Sequence, residues 1–383
     1  MSVNLDIKFA IKINNSVHTN VDNEKVSLKE VDNVHGYHNK GCVEMFKPRH
    51  VYIEKEALDY KLGEELQTKF ESMGIPVDIQ KSNRVTFLSG KTPQEKYEEG
   101  KKSLVIGVRR SLEFQTCKPS AHYQLPLVTG CVGQCEYCYL NTQLKDKPFT
   151  RIYVNTDDVL QRAKRYIQSG KFKPTIFEGS ATSDPIPVEP YTHSLAKAIE
   201  FFAKEKEGRF RFVTKYTDVD GLLGLKHNGH TEVRFSINTD TAIMSFEHGT
   251  PRVKQRLEAA MKVINAGYPV GFLIAPVFVY PNWKEDYLML IKLLKNYLGD
   301  KELQHPITFE IISHRYTPTA KNHILQVFEN TTLPMDDTQR KYKYGQFGYG
   351  KYVYPKEIMQ EMKELFETGL THLDIPYEIK YII

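Results

Sequence analysis

Cys131-Val132-Gly133-Gln134-Cys135-Glu136-Tyr137-Cys138-Tyr139 is the stretch on which the reading of this chain turns. It holds three of the five cysteines, with three residues between the first pair and two between the second. The apolar, strand-like run Leu125-Pro126-Leu127-Val128-Thr129-Gly130 leads into it. Three thiolates in one short loop can wrap a small, soft metal centre, and iron–sulfur clusters and zinc are the usual occupants. A structural zinc site needs four ligands, commonly as two paired knuckles. Here Cys42 and Cys117 stand alone and no His-x-x-x-His follows. A thioredoxin-like pair could use Cys135 and Cys138, but Cys131 would then have no role. The spacing favours a [4Fe-4S] cluster with one iron left open, the arrangement needed to chelate the amino and carboxylate groups of S-adenosylmethionine.

Downstream of the loop, strands and helices alternate. Thr175–Gly179, Phe210–Thr214, Glu232–Ile237, Gly271–Phe278 and Ile307–Ile312 read as buried strands, with Leu125–Thr129 before them as the first. Between them the stretch from Thr192 to Lys206 places Leu195, Ile199 and Phe202 on one helical face. Helices also fit Arg252 to Ala266 and Trp283 to Leu298, each followed by glycine. Such alternation implies βαβ units and a parallel sheet. Six units are too few for a closed eight-fold barrel, so the expectation is an α/β fold built on a partial, TIM-like (β/α)6 barrel. Its strand C-termini would face one cleft, where such folds carry their chemistry.

Upstream, residues 1–45 form a polar extension without helical period. Residues 46–117 read as a small α/β domain: a strand at Val51–Glu54, a helix from about Leu58 to Met73, strands at Arg84–Leu88 and Leu104–Val108, and a charged helix from Thr92 to Lys102. Residues 118–383 form the barrel domain. Near its end, Lys341 to Tyr354 alternates tyrosines with lysines around central glycines, a β-hairpin pattern. Aromatic faces and positive charge there suit either packing on the barrel or contact with nucleic acid. A final helix fits Lys356 to Thr368.

With 383 residues, 40% apolar and 26% charged, the composition is that of a globular chain with a large core. No apolar run approaches the roughly 18 residues of a membrane span, and Met1-Ser2-Val3-Asn4-Leu5-Asp6 lacks the pattern of a signal peptide. Clustered cysteines suit a reducing compartment, so a cytoplasmic location is expected. A net charge of +5 is compatible with a polyanionic partner.

The three-cysteine loop resembles that of the radical S-adenosylmethionine superfamily, and its surroundings narrow the resemblance to the spore photoproduct lyase family. The stretches that carry it include Lys118-Pro119-Ser120, Thr129-Gly130-Cys131, Cys138-Tyr139-Leu140, Arg211-Phe212-Val213-Thr214-Lys215, Lys226-His227-Asn228-Gly229, Phe235-Ser236-Ile237-Asn238, Ala266-Gly267-Tyr268-Pro269 and Gly348 to Lys351. The resemblance runs from about residue 50 to the C-terminus. It implies repair of a methylene-bridged thymine dimer in DNA by an adenosyl radical, fed by an electron donor such as flavodoxin or ferredoxin. Carried over residue by residue, Cys131, Cys135 and Cys138 would hold the cluster. Tyr139, Ser183, Lys215, Ser236, Asn238 and the backbone at Ala275 would line the S-adenosylmethionine site. Tyr137 and Tyr139 would pass hydrogen, and Asp184 would face the lesion. Lys343 and Lys351 of the hairpin would meet DNA phosphates.

Two departures stand beside these matches. Where the family has a hydrogen-donor cysteine, this chain has Ala181, and where the hairpin tip carries arginine and tyrosine, it has Gln346 and Phe347. An alkyl group cannot quench a product radical as a thiol does. The reaction would then end differently, or Tyr137 or Cys117 would supply the hydrogen, with Cys117 read as a small buried hydrophobe. The expectation is retained S-adenosylmethionine cleavage, with slow or adduct-forming repair. A paralogue acting on another nucleic-acid or small-molecule substrate, and a non-catalytic cluster-bearing nucleic-acid-binding protein, are the alternatives.

Overall fold

The computed structural model describes residues 46–81, 85, 90–145, 147–299, 301–344 and 350–383. The polar extension 1–45 and, apart from Val85, the strand expected at Arg84–Leu88 lie outside the described residues. The described residues form one compact unit.

Its centre is an eight-stranded sheet. Strands Ala121–Gln124, Thr175–Glu178, Gly208–Thr214, Thr231–Ile237, Val270–Val277, Ile307–Ser313 and Tyr377–Ile382 follow one another in space and pair parallel throughout. The two-residue strand Thr116–Cys117 closes one edge, antiparallel to Ala121–Gln124. This is the open partial barrel expected from the alternation, with the C-terminal segment adding one more parallel strand. Helices Ser194–Lys204, Val253–Asn265 and Trp283–Leu298 cover its outer face. Phe177, Phe202, Phe210, Phe212, Phe235, Phe272 and Phe309 are all buried in that layer.

Strand period 2 sends the neighbours of these phenylalanines to the barrel interior, and several of them are charged. Arg211 and Arg234 both bind Glu310, and Arg234 also pairs with Glu178. All four side chains are nine-tenths buried or more. Paired in this way, the charges satisfy one another inside the fold.

One boundary differs from the sequence reading. Leu125–Thr129 does not continue as the first barrel strand. Pro126 has no N–H to give the ladder, the Leu127 N–H turns back to the Leu125 carbonyl, and Val128–Thr129 leaves to pair antiparallel with Thr150–Tyr153. That strand joins the smaller sheet, whose order is Val77–Gln80, His50–Glu54, Ser103–Gly107, Thr150–Tyr153, Val128–Thr129. The cysteine loop is therefore entered from the small sheet. Helix Pro93–Lys101, opened by a Thr92/Glu95 capping box, packs beneath the loop.

Candidate active site

The loop is fixed at both ends. Gly130 has φ +83°, and a Cβ there would lie 2.3 Å from the Phe149 carbonyl oxygen, so only glycine admits this turn. Its N–H donates to the Thr182 carbonyl. Further on, Gln134–Cys135 pairs with Glu247–His248, and Cys138 precedes the short helix Tyr139–Leu144.

Cys131, Cys135 and Cys138 line one wall of a cavity of about 520 Å3. Burial pushes the Cys131 thiol up to about 12 and raises that of Cys135 as well. As free thiols they keep their protons at neutral pH, and a metal centre would displace them. Among the described residues no group of His, Cys, Asp and Glu converges as a single-ion site. Three sulfurs spread along a cavity wall, without a fourth ligand, fit a multi-iron cluster with an open position.

The rest of the wall fits S-adenosylmethionine. Ser183, Lys215, Ser236 and Ala275 line the same cavity. The Ser183 hydroxyl is buried without a hydrogen-bond partner among the described residues, an orphan that a ligand in the cavity would satisfy. The Lys215 Nζ donates to Ser236 Oγ at 2.9 Å, to the Tyr137 hydroxyl at 3.0 Å and to Glu247 Oε1 at 3.1 Å. Tyr137 in turn donates to Glu247. On its other oxygen Glu247 takes Arg256 Nη2 at 2.6 Å. Burial works against the Glu247 charge, but Arg256 and Lys215 outweigh it and hold the carboxyl down to about 2. Neither Glu247 nor Arg256 carried a motif in the sequence. Their role emerges only when separate elements meet.

Two expected site residues sit differently from their carry-over. Asn238 is fully buried and does not line the cavity. Its amide donates to the Pro276 carbonyl and its oxygen accepts from Tyr287 and the Thr239 N–H, so it braces the wall behind Ala275 and Pro276. Asp184 lines the cavity, yet its carboxylate is taken by the Lys215 N–H, Thr214 Oγ1 and the Ile186 N–H. Burial lifts it to about 6 in spite of those bonds.

Tyr139 is half exposed at the cavity and donates its hydroxyl to the Ala181 carbonyl. Burial raises its pKa, helped by the nearby thiols of Cys138 and Cys117. Cys117 lies on the edge strand opposite Ala121, half-buried, its thiol pushed up to about 12 by burial and then by Glu178. It is thus a neutral S–H within electrostatic reach of Tyr139.

At the mouth stands the hairpin, Lys341–Tyr344 against Gly350–Val353, with Lys343 opposite Lys351 and Tyr342 opposite Tyr352. A Cβ on Gly350 would fall 2.2 Å from the Tyr342 ring, which explains a glycine there. Gln346 and Phe347 lie outside the described residues. Tyr352 stacks on Tyr316 at 5.3 Å and anchors the hairpin to the barrel. Arg315, which sequence reasoning missed, lines the cavity between the two. Burial and then Arg315 and Lys343 lower the Lys351 pKa, so three cations share this rim.

An open parallel barrel with a three-cysteine loop at its mouth and this cofactor wall defines a radical S-adenosylmethionine enzyme. Within that class the chain belongs to the spore photoproduct lyase family, whose sequence model matches residues 46–383. It is 52% identical to the spore photoproduct lyase of Clostridium acetobutylicum over 335 residues, 88% of this chain and 98% of that one. It is 45% identical to the Bacillus subtilis protein of the same name, over 84% of this chain and 94% of the other. Among solved structures, a spore photoproduct lyase variant with bound AdoMet and dinucleoside spore photoproduct superposes with a TM-score of 0.86 at 45% identity. That match covers 89% of this chain and all of the other. The variant combines a cysteine-to-alanine with a serine-to-cysteine substitution. A second structure, complexed with dinucleoside spore photoproduct, gives the same TM-score. No described helix is long and apolar enough to cross a membrane.

Proposed function

We propose that this chain repairs the spore photoproduct, the methylene-bridged thymine dimer of DNA, and that Cys117 supplies the hydrogen that Ala181 cannot. When bound, the cluster and S-adenosylmethionine supply the radical that takes a hydrogen from the lesion. The chain's own residues do the rest. Lys215 and Ser236 present an ammonium and a hydroxyl for a carboxylate or ribose oxygens. Ser183 offers its free hydroxyl to the same ligand. Arg315, Lys343 and Lys351 give the rim the charge to hold a phosphate backbone. An external one-electron donor of the flavodoxin or ferredoxin type would feed the cluster.

The observation that carries the donor assignment is the placing of Cys117 and Ala181 about one tyrosine. Tyr139 holds the Ala181 carbonyl and lies within electrostatic reach of the Cys117 thiol. In the doubly substituted relative, the alanine and the new cysteine upstream of it stand at the same sequence interval as Ala181 and Cys117. A protonated thiol is the form that donates a hydrogen atom, and burial keeps Cys117 protonated. The S–H hydrogen passes to the product carbon radical and leaves a thiyl; a hydrogen returned to it by way of Tyr139 would leave a tyrosyl radical, which takes its hydrogen back from 5′-deoxyadenosine. Repair by the unaltered protein is then clean, in contrast to the expectation drawn from Ala181 alone. The test is product analysis with dinucleoside lesion, dithionite and S-adenosylmethionine. Cys117→Ala should still form 5′-deoxyadenosine but give trapped adducts in place of thymine, and Cys117→Ala/Ala181→Cys should restore thymine. Clean repair by Cys117→Ala would refute the assignment.

A further inference from the structure

The helix Pro93–Lys101 ends in a lysine that is 2% exposed. Its Nζ donates to the Cys131 carbonyl at 2.9 Å and to the Gly133 carbonyl at 2.7 Å, and sits 5.3 Å from the centre of the Tyr97 ring. No carboxylate among the described residues lies within ion-pair distance of it. An ammonium taken out of water without a counter-charge is strongly disfavoured, and two neutral carbonyls do not supply one. Asp218 shares a cavity lining with Lys101 and Asp184 shares one with Cys131, but neither pairs with the ammonium. The carbonyls that hold it belong to the cysteine loop, whose own negative charge would be that of the cysteine thiolates.

The same helix reaches the loop a second time. Tyr97 donates to Asn141 Oδ1 at 3.3 Å, and Asn141 donates to the Cys135 carbonyl at 3.0 Å. With the carbonyls of Cys131 and Gly133 drawn outward to Lys101, the Gly133 N–H is left aimed at Cys131 Sγ, 3.3 Å away. Hydrogen bonds and positive charge around cluster sulfurs set reduction potential. An oxidised cluster on three thiolates is anionic, and reduction adds one more negative charge, so a nearby fixed cation favours the reduced form.

We infer that Lys101 is the buried counter-charge of the iron–sulfur centre, a positioning residue through which the small sheet's helix raises the cluster's reduction potential. This rests on the reading of Cys131, Cys135 and Cys138 as cluster ligands.

The experiment is a mediated redox titration of anaerobically reconstituted full-length protein, following the EPR signal of the reduced cluster, with iron and sulfide measured on each sample. In Lys101→Met the reduced-to-oxidised ratio at a fixed potential should fall about tenfold, a shift of about 59 mV to more negative values for a one-electron couple. Lys101→Arg, which keeps the charge, should stay close to the parent. If Lys101→Met fails to hold the cluster, Lys101→Gln carries the test, because it keeps donors for the two carbonyls but no charge. A cluster in either uncharged variant that titrates at the parent potential would overturn the inference, even if its content were lower. A parent protein without iron and sulfide would instead overturn the cluster reading beneath it.

Discussion

Glu247→Gln probes the polar knot behind the cofactor wall. The Glu247 and Arg256 side chains are both fully buried, and their ion pair is 2.6 Å long. Arg256 also spends donors on the Ser236 and Pro251 carbonyls and on Thr250, while Lys215 shares the other carboxylate oxygen of Glu247. Glutamine keeps the shape but leaves two cations facing one neutral amide. Removing one partner of a buried pair typically costs about 3–5 kcal/mol. The carboxyl's descent from 4.5 to about 2 gives an independent figure. At about 1.4 kcal/mol per pKa unit this corresponds to about 3 kcal/mol. The sign follows from the depressed pKa. The contribution is present above pH 4.5 and is lost as pH falls toward 2, because the unfolded chain then binds the proton more readily. Anaerobic urea unfolding, followed by circular dichroism, should therefore show Glu247→Gln less stable by about 3 kcal/mol at pH 7. The gap should narrow below pH 4.5. A difference under about 1 kcal/mol at pH 7, or one unchanged at pH 3, would refute the argument that this charge holds the knot together.

Replacing any one of Cys131, Cys135 or Cys138 by Ala should abolish a cluster of about four irons, read as iron and sulfide content after anaerobic reconstitution; full occupancy in such a variant would sink the assignment. Duplex binding should weaken steeply with salt, and Lys343→Gln/Lys351→Gln should reduce the slope of log affinity against log salt by about 2, measured by fluorescence anisotropy. An unchanged slope would place the phosphate contacts elsewhere.

The proposed ligands of the cluster stand out in the sequence because they are contiguous: one loop carries all three thiols. The five barrel strands from Thr175 to Ser313 were legible for a similar reason, as local runs bounded by turns and helices, whereas Ala121–Gln124 was missed in favour of the more apolar Leu125–Thr129. Lys215, Ser236 and Ser183 were visible only through family resemblance, because a strand-end lysine and two barrel serines have no local pattern of their own. Glu247 was invisible even so. Its partners Tyr137, Lys215 and Arg256 come from three separate elements, and only the closed fold brings them to one carboxylate. Thr150–Tyr153 was missed because four residues between a helix and a loop give too short a signal, yet that strand ties the cysteine loop to the small sheet. Asn238 shows the converse: its place in a family stretch suggested the cofactor, while its fully buried side chain braces Pro276.

One carboxylate makes the change at Ala181 physically reasonable. Glu178 Oε1 accepts from the Ser180 N–H at 3.2 Å and from its hydroxyl at 2.7 Å, which fixes the chain one residue before Ala181. Its Oε2 accepts from Ser120 at 2.8 Å and from Arg234, and Ser120 follows Cys117 by only three residues. The strands reinforce the link, with Gln124 in register with Glu178 and Cys117 opposite Ala121. Both segments are therefore tied to the same buried network; Tyr139 bonds the Ala181 carbonyl and lies within electrostatic reach of Cys117. On the proposed assignment, a thiol in either segment draws on the same scaffold. On this reasoning the paired alanine and cysteine form one functional unit. Substituting Cys117 alone should disturb hydrogen return more than any single change at position 181.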